Sequence, residues 1–488
     1  MKLIFNNLII HILISFYLLL GNCLAEIEEI NDFSKPKIIL GLDFVGSASL
    51  IDTENKVSLP EELVNIKFLE EQSTIKIKKV TRTDSASASM YFFFIICLYS
   101  IFVALFLSKY FKKNKFDKND FIKNESRYYI NIYIIFAVLL ILILGLRGNE
   151  DEYSRIFLRI PTFLSLFDTG QYPEIVLWPL IKEKGLFMIL IMSFIKSINA
   201  GSQLFFFIYV GIAITLNAYF FKKFTVFYPM AFLFYISHGL VHKEWVGMRM
   251  ALISALLLAI IYFIASNKKF YAWILLIISV LNHYIAIVSV SLFYLNRRIS
   301  SRLMVSILIV VLLLTVFNIQ EQLMNFSNIK SILPSFIADY IGSEYYGYNV
   351  GLLHPKGIQQ IIVLMLILIF VHDKKPEINN DRYYNLIINT YFISTMLMFL
   401  LSFSAIFSYR FGSYFYAVEP IVLTYFISHL RFKKMIIYAV ICFSLLIAFY
   451  NYSYKQRLSE YHFLIDNYEI ENDNRKIMNE IENNQLKF

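Results

Sequence analysis

Charged residues are scarce in this sequence of 488 residues: they make up 17% of the chain, whereas hydrophobic residues make up 58%. Soluble domains average about 25% charged and about 45–50% apolar residues, so the composition excludes a string of ordinary soluble domains. The chain has only 16 glycines and 10 prolines, which excludes collagen-like or low-complexity structure. Its three cysteines, Cys23, Cys97 and Cys442, lack ligand spacing and predict neither a disulfide framework nor a zinc knuckle.

Long apolar runs separated by short basic clusters dominate the chain instead. The clusters are Lys109 to Arg127, Lys222–Lys223, Lys268–Lys269, Arg297 to Arg302, Lys374–Lys375 and Arg431 to Lys434. This is the positive-inside pattern, so the formal net charge of +9 indicates membrane topology and not a nucleic-acid partner. We therefore predict an all-α polytopic integral membrane protein with about 11–13 transmembrane or re-entrant helices.

The same patterns predict how the chain is divided. Residues 1–25 have the charge and apolar order of a signal peptide or signal anchor. Residues 26–89 are polar and partly alternating, which predicts a small strand-containing extracytoplasmic segment of unknown role. Residues 90–450 form the polytopic membrane domain, in which 319–356 is a large outer loop that we expect to act as a lid, and 451–488 form a polar C-terminal tail.

Two apolar stretches need separate treatment because of their lengths. Residues 185–195 are too short for a full span, so we predict an interfacial or re-entrant helix there. Residues 270–296 fit either one long tilted helix or two short helices with a bend at Asn282-His283. The bend is favoured because it keeps Arg297 and Arg298 in the cytoplasm and His283 near the outer face.

In this orientation the concentrated polar groups fall on the outer side of the membrane. They are Arg147 to Tyr153, Lys182 to Lys184, His242 to Glu244 with Arg249, His283, residues 339–354, and Tyr409-Arg410. A cation deep in hydrocarbon costs about 2.5–3.5 kcal/mol, a cost more readily tolerated where an anion binds. Arg249 or Arg410, taken alone, also fits an arginine that anchors a helix end at the membrane surface. His238 and His242 have no third ligand that would make a metal site.

The chemistry that suits this face is transfer of a sugar from a polyprenyl-linked donor. Lipid pyrophosphate is already a good leaving group, so the protein mainly has to stabilise negative charge, and arginine contacts phosphate through two parallel hydrogen bonds. A carboxylate can deprotonate the attacking hydroxyl, and tyrosine rings give sugars a flat amphipathic surface.

At these positions the chain resembles the EpsG-type branch of the Wzy-like bacterial polysaccharide polymerases. The matching motifs, between about residues 128 and 450, are Gly145-Leu146-Arg147, Asp151-Glu152-Tyr153, Glu183-Lys184-Gly185, Gly247-Met248-Arg249, Leu281-Asn282-His283 and Arg410-Phe411-Gly412-Ser413-Tyr414. Met250 stands where the family has glutamine. The resemblance implies a membrane glycosyltransferase of GT-C-like architecture, without a cofactor or an obligatory metal.

The implied activity is polymerisation of polyprenyl-pyrophosphate-linked repeat units for capsule, exopolysaccharide or O-antigen at the outer face of the bacterial plasma membrane. A flippase and a chain-length regulator are the implied protein partners, beside the lipid-linked glycan and membrane lipids. The implied catalytic residues are Glu152, with Asp151 as its substitute, Arg249 and Arg410. The predicted substrate-binding residues are Arg147, Tyr153, Glu183, His283, Tyr345, Tyr346 and Tyr414.

Three other functions fit parts of the same pattern. A glycosyltransferase that moves single sugars from a polyprenyl monophosphate also places an acidic pair like Asp151-Glu152 in its first outer loop. A lipid-linked glycan flippase or other transporter predicts charges at mid-membrane and repeated halves, which the sequence does not show. An envelope scaffold without chemistry predicts that single substitutions of the outer arginines are silent.

The orientation can be tested by cysteine labelling in intact cells. Single cysteines placed beside Arg147, Arg249, His283 and Arg410, in a background without the native cysteines, should react with a membrane-impermeant maleimide. Cysteines beside Lys222 and Lys268 are the controls and should react only after lysis. Labelling of the controls in intact cells, with protection of the first set, would invert the topology.

Overall fold

The computed structural model describes residues 85–112, 127–145, 153, 156–157, 160–163, 185–240, 247–319, 322, 349–352, 354–372, 381–429 and 433–453. Within these ranges every regular element is helical, in agreement with the predicted all-α class. The first helices are α1 Ser85–Lys112, α2 Arg127–Gly145, α3 Leu186–Ser197, α4 Ser202–Phe224, α5 Tyr228–Phe234, α6 Met248–Ala265 and α7 Lys269–Asn282. They are followed by α8 Ser301–Val316, α9 Pro355–Ile367, α10 Arg382–Leu400, α11 Ala405–Phe415, α12 Glu419–His429 and α13 Lys433–Ser453.

Several of these helices continue into tighter or wider turns. A π-helix, Tyr235–Gly239, extends α5, and a second, Leu368–His372, extends α9. A 3₁₀-helix, Tyr284–Phe293, follows α7, and another, Tyr416–Val418, joins α11 to α12. Both π-turns contain a histidine, and wide turns of this kind occur often at functional sites.

Four of the described helical segments are long and apolar enough to cross a membrane: Tyr128–Gly145, Ser202–Phe224, Met248–Ala265 and Pro355–His372. Shorter apolar helices of 10–17 residues, among them α3 and α7, accompany them. Large apolar side chains such as Phe94, Leu105 and Ile135 are exposed, as expected of helices that face lipid and not water. The protein is a helical membrane protein.

Helix α6 lies at the centre of the described domain. It packs against α4 and α7, and it also contacts α10, α11 and both 3₁₀-helices. Its residues are buried on every side from Ala251 to Ile261, which is typical of an apolar helix enclosed by others. The N-terminal turn of this buried helix is therefore held in a fixed place relative to its neighbours.

The predicted bend in residues 270–296 is confirmed. Helix α7 ends at Asn282, His283 has an extended backbone, and the 3₁₀-helix begins at Tyr284. The short apolar stretch at 185–195 forms the 12-residue helix α3, which matches the predicted length.

Two predicted boundaries differ from the structure. The first described helix begins at Ser85, within the segment 26–89, because small residues and serines there continue the helix that leads into the apolar run. Arg410 lies inside helix α11 and not between two spans, since the residues on both sides of it are aromatic or apolar and pack against α10. The predicted signal segment 1–25, the predicted strands, most of the loop 319–356 and residues 454–488 lie outside the described residues.

Candidate functional site

Arg249 lies in the first turn of the central helix α6. Gly247 is the N-cap, and the Arg249 side chain is only partly buried, unlike the side chains of the following turns. A helix N-terminus carries a partial positive charge because its first N–H groups have no partner within the helix. An arginine added there concentrates positive charge at one end of the helix, an arrangement that favours an anion.

The side chain of Asn282, at the end of α7, ties this turn to the neighbouring helices. Its Nδ2 donates to the carbonyl oxygen of Arg249 at 3.2 Å, and its Oδ1 accepts a hydrogen bond from the hydroxyl of Tyr209 on α4. Asn282 has no exposed surface. Both ends of its amide are thus used to hold α4, α6 and α7 together, and the residue that follows it is His283.

Gly185, the last residue of the Glu183-Lys184-Gly185 motif, packs against the same point. It is the N-cap of α3 with a φ of 85°, a conformation that L side chains rarely adopt. A Cβ at this position would collide with the carbonyl oxygen of Asn282. The motif therefore needs glycine for two reasons: its positive φ and its close approach to the backbone of Asn282. This close approach joins α3 to the site.

His283 is buried at the break between α7 and the 3₁₀-helix, outside the four helices that qualify as spans. Burial, together with the positive charges of Arg249 and Arg410, lowers its pKa to about 3. Its Nδ1 accepts a hydrogen bond from the backbone N–H of Ile285 at 3.3 Å. The neutral imidazole therefore carries its proton on Nε2, which makes Nε2–H a hydrogen-bond donor at neutral pH.

Arg410 reaches the same region from helix α11. Its charge acts on His283 as that of Arg249 does, so three sequence-predicted residues from distant parts of the chain meet here. The preceding Tyr409 is hydrogen-bonded through its hydroxyl to Nε2 of His354, which is the N-cap of α9. Burial and the charge of Lys356 lower the pKa of His354 to about 4. The hydrogen bond of Tyr409 thus joins the helix of Arg410 to the start of α9.

Two of the predicted sugar-binding tyrosines do not offer the expected surface. Tyr414 is fully buried, and its hydroxyl is hydrogen-bonded to that of Ser289 at 2.6 Å, so its ring belongs to the core between α11 and the 3₁₀-helix. Tyr153 is also buried, among apolar residues of the main core. Both rings therefore pack in the core in this conformation, and their assignment to substrate binding stays a prediction. The remaining predicted site residues, Arg147, Asp151, Glu152, Glu183, Tyr345 and Tyr346, lie outside the described residues.

A buried polar group that was not predicted from the sequence lies elsewhere in the domain. Glu419, the first residue of α12, is 1% exposed and accepts hydrogen bonds from Gln359 Nε2 at 2.9 Å and from the Tyr391 hydroxyl at 3.2 Å. Beside it lies a cavity of about 20 Å³ that is also lined by Asn217 and His238, enough for about one water molecule. A carboxylate inside a predicted apolar span, 412–429, was the signal available in the sequence.

Metal-ligating side chains do not gather in the part of the chain that the structure describes. No group of three His, Cys, Asp or Glu residues there lies close enough to hold an ion. His238 lines the cavity beside Glu419, while His242, its predicted neighbour four residues later, is outside the described ranges.

The EpsG family model matches residues 130–465, a region that contains Arg249, His283, Arg410 and Glu419. The chain belongs to the EpsG family. It is also similar to the amylovoran biosynthesis protein AmsC of Erwinia amylovora, with 21% identity over 333 residues that cover 66% of this chain and 85% of that protein. No solved structure matches the chain.

The glycine at position 185 gives a test of how this EpsG protein builds the site. Gly185→Ala should lower the yield of monodisperse protein and its melting temperature, because the added Cβ must displace Asn282 from the turn of Arg249. Gly351→Ala is the matched control: Gly351 also has a positive φ, of 70°, but nothing lies within 4 Å of an added Cβ. Equal effects of the two substitutions would show that only backbone conformation matters at Gly185.

Proposed function

We propose that this protein is a membrane glycosyltransferase that polymerises polyprenyl-pyrophosphate-linked oligosaccharide repeat units at the extracytoplasmic face of the plasma membrane. The observation that carries the proposal is the convergence of Arg249 and Arg410 on His283, next to the N-terminus of the central helix α6. Such a concentration of positive charge matches a pyrophosphate leaving group better than a neutral sugar.

The two arginines have the role of holding the lipid pyrophosphate and the charge that develops when it departs. Each guanidinium can give two parallel hydrogen bonds to phosphate oxygens, and in a site shielded from water these contacts are stronger than in bulk solvent. The N–H groups of the first turn of α6 add to the same field. Stabilisation of charge is the main requirement here because the leaving group needs no acid.

His283 acts as a neutral hydrogen-bond donor in this proposal. Because burial and the two arginines keep its pKa low, it does not add a third positive charge, and its Nε2–H serves as a single donor to a phosphate oxygen or a glycan hydroxyl. Asn282 helps to position this imidazole, because it directly precedes His283 in the chain and its side chain is hydrogen-bonded to the backbone of Arg249.

Glu152, with Asp151 as its substitute, is proposed as the base. The acceptor hydroxyl of one repeat unit gives its proton to the carboxylate, and its oxygen forms a bond to the anomeric carbon of the other unit. The bond from that carbon to the pyrophosphate oxygen breaks, and both electrons leave with the lipid pyrophosphate. We assign Arg147, Glu183, Tyr345 and Tyr346 to glycan binding on the same face.

Membership of the EpsG family and the similarity to a protein named for amylovoran biosynthesis support a role in exopolysaccharide biosynthesis. We therefore favour an exopolysaccharide or capsule over O-antigen as the product. We further propose a GT-C-like arrangement of the helices, with the site at the outer ends of the spans. Such an arrangement explains why the N-terminus of α6 lies next to the end of α7 and the start of α3.

Deletion of the gene, followed by gel electrophoresis of surface polysaccharide, tests the proposed function. A polymerase mutant should lose the long-chain material and retain a single repeat unit on the lipid or cell surface. A protein that adds one sugar within the repeat unit would leave no complete repeat unit, and that result would contradict polymerisation. Restoration by the intact gene is the control.

Substitutions at Arg249 test the role of the site within the same strain. Arg249→Ala should lower the rate of polymer synthesis about a hundredfold, the usual loss on removing one charge-stabilising contact of a transition state. Arg249→Lys keeps the charge but loses the paired donors, so it should retain only part of the rate. Arg410→Ala should behave like Arg249→Ala.

Arg302→Ala serves as the matched control, because this exposed arginine is the second residue of α8 and lies in a predicted cytoplasmic cluster. All variants are compared at equal membrane expression. If both the Arg249→Ala and Arg410→Ala variants make full-length polymer, the catalytic role of these arginines is refuted. They would then be explained as membrane anchors.

A further inference from the structure

Glu419 stands out because buried acidic side chains are rare in the described domain. Among the described residues only Asp381 and Glu419 are acidic, and Asp381 has an ordinary role as the N-cap of α10, where it accepts from the N–H groups of Tyr383 and Tyr384. Glu419 is almost completely buried in a membrane domain. Burying a carboxylate in such surroundings is unfavourable unless opposite charge and hydrogen bonds compensate it.

The compensation comes from the first two turns of helix α9. Nζ of Lys356 lies 4.4 Å from the centroid of the Tyr416 ring, and the charges of Lys356 and Glu419 act on each other. Nε2 of Gln359 donates both to the Tyr416 hydroxyl, at 3.0 Å, and to Oε1 of Glu419. Lysine, tyrosine ring, amide and carboxylate thus form one continuous polar assembly between α9 and α12.

A third polar contact lies one turn closer to the candidate site. His354, the N-cap of α9, is hydrogen-bonded to Tyr409, the residue before Arg410. The contacts of α9 therefore fall at positions 409, 416 and 419 of the opposing segment and lie on both sides of Arg410 along the chain. Because α9 begins at Pro355, within the predicted outer loop 319–356, this interface also joins the end of that loop to the helix of Arg410.

We propose that Lys356 and Glu419 are positioning residues whose paired charges fix the register of α11 and α12 against α9 and so hold Arg410 at the pyrophosphate site. This inference rests on the proposed function. A buried charge pair contributes little net stability compared with apolar residues, but it strongly disfavours any packing in which one charge loses its partner. Neither residue touches the reacting atoms; they act through Arg410.

A double-mutant cycle separates this role from direct catalysis. Lys356→Met leaves the buried charge of Glu419 uncompensated, and Glu419→Gln leaves that of the partly buried Lys356, so each should lower kcat for repeat-unit joining about tenfold or more while KM changes little. The double variant, Lys356→Met with Glu419→Gln, has no charge left to compensate and should recover to within about threefold of the parent. Asp381→Asn is the matched control and should keep the parent kcat, since asparagine caps a helix as well as aspartate.

A second readout does not depend on polymerase activity. A single cysteine at Ser413, one turn from Arg410, should react faster with a maleimide in either single variant, because α11 is less well held, and at the parent rate in the double variant. Tyr409→Phe removes only the hydrogen bond to His354 and should give a smaller increase in the labelling rate. It tests the same interface if the charge variants fold poorly.

The outcomes distinguish the two proposals. The predicted labelling pattern in a protein that joins no repeat units would support the positioning role and refute the proposed function. A double variant that labels like the parent but remains as inactive as Glu419→Gln would show that Glu419 itself takes part in proton transfer, and would overturn the positioning role. Unchanged kcat and labelling in both single variants would overturn it as well.

Discussion

The hydrogen bond from Asn282 Nδ2 to the carbonyl oxygen of Arg249 joins the end of α7 to the first turn of the central helix. The candidate site depends on this bond because it sets the distance between Arg249 and His283, the residue that follows Asn282. Tyr209 holds the other end of the same amide, and Gly185 packs closely against the backbone carbonyl of Asn282. A buried amide with both ends satisfied can make these contacts in only one orientation, so the site is fixed before any substrate arrives.

Electrostatics then determine what this rigid arrangement can bind. The positive end of α6 and the guanidinium groups of Arg249 and Arg410 act on one region, where burial and the two arginines keep His283 neutral. A polyanion is the ligand that such a region stabilises most, and a lipid pyrophosphate combines that charge with a membrane anchor. The polar assembly of Lys356, Gln359 and the buried Glu419 connects α9 to α12 and, in our proposal, orders the helix that carries Arg410.

The sequence was sufficient to predict the helical class and the break at Asn282-His283, because composition, basic clusters and motif order are all local signals. Its motifs also singled out Arg249, His283 and Arg410, whose role in the site stays a prediction. It could not predict the partners of Asn282, since hydrogen bonds to Tyr209 and Arg249 join residues far apart in the chain. The burial of Tyr414 was not predictable either, because aromatic residues in membrane helices look alike in sequence whether they line a site or fill a core. Glu419 was visible in sequence as a lone carboxylate in an apolar span, but its partners on α9 and α10 come only from the fold.

The most direct test of the account is the reaction of the purified full chain in lipid nanodiscs with one defined polyprenyl-pyrophosphate-linked repeat unit. Mass spectrometry should detect products that grow by whole repeat units and one free polyprenyl pyrophosphate for every bond formed. Transfer of a single sugar with release of polyprenyl monophosphate, or no consumption of the substrate by well-folded protein, would contradict the central claim that the arginine site serves polymerisation.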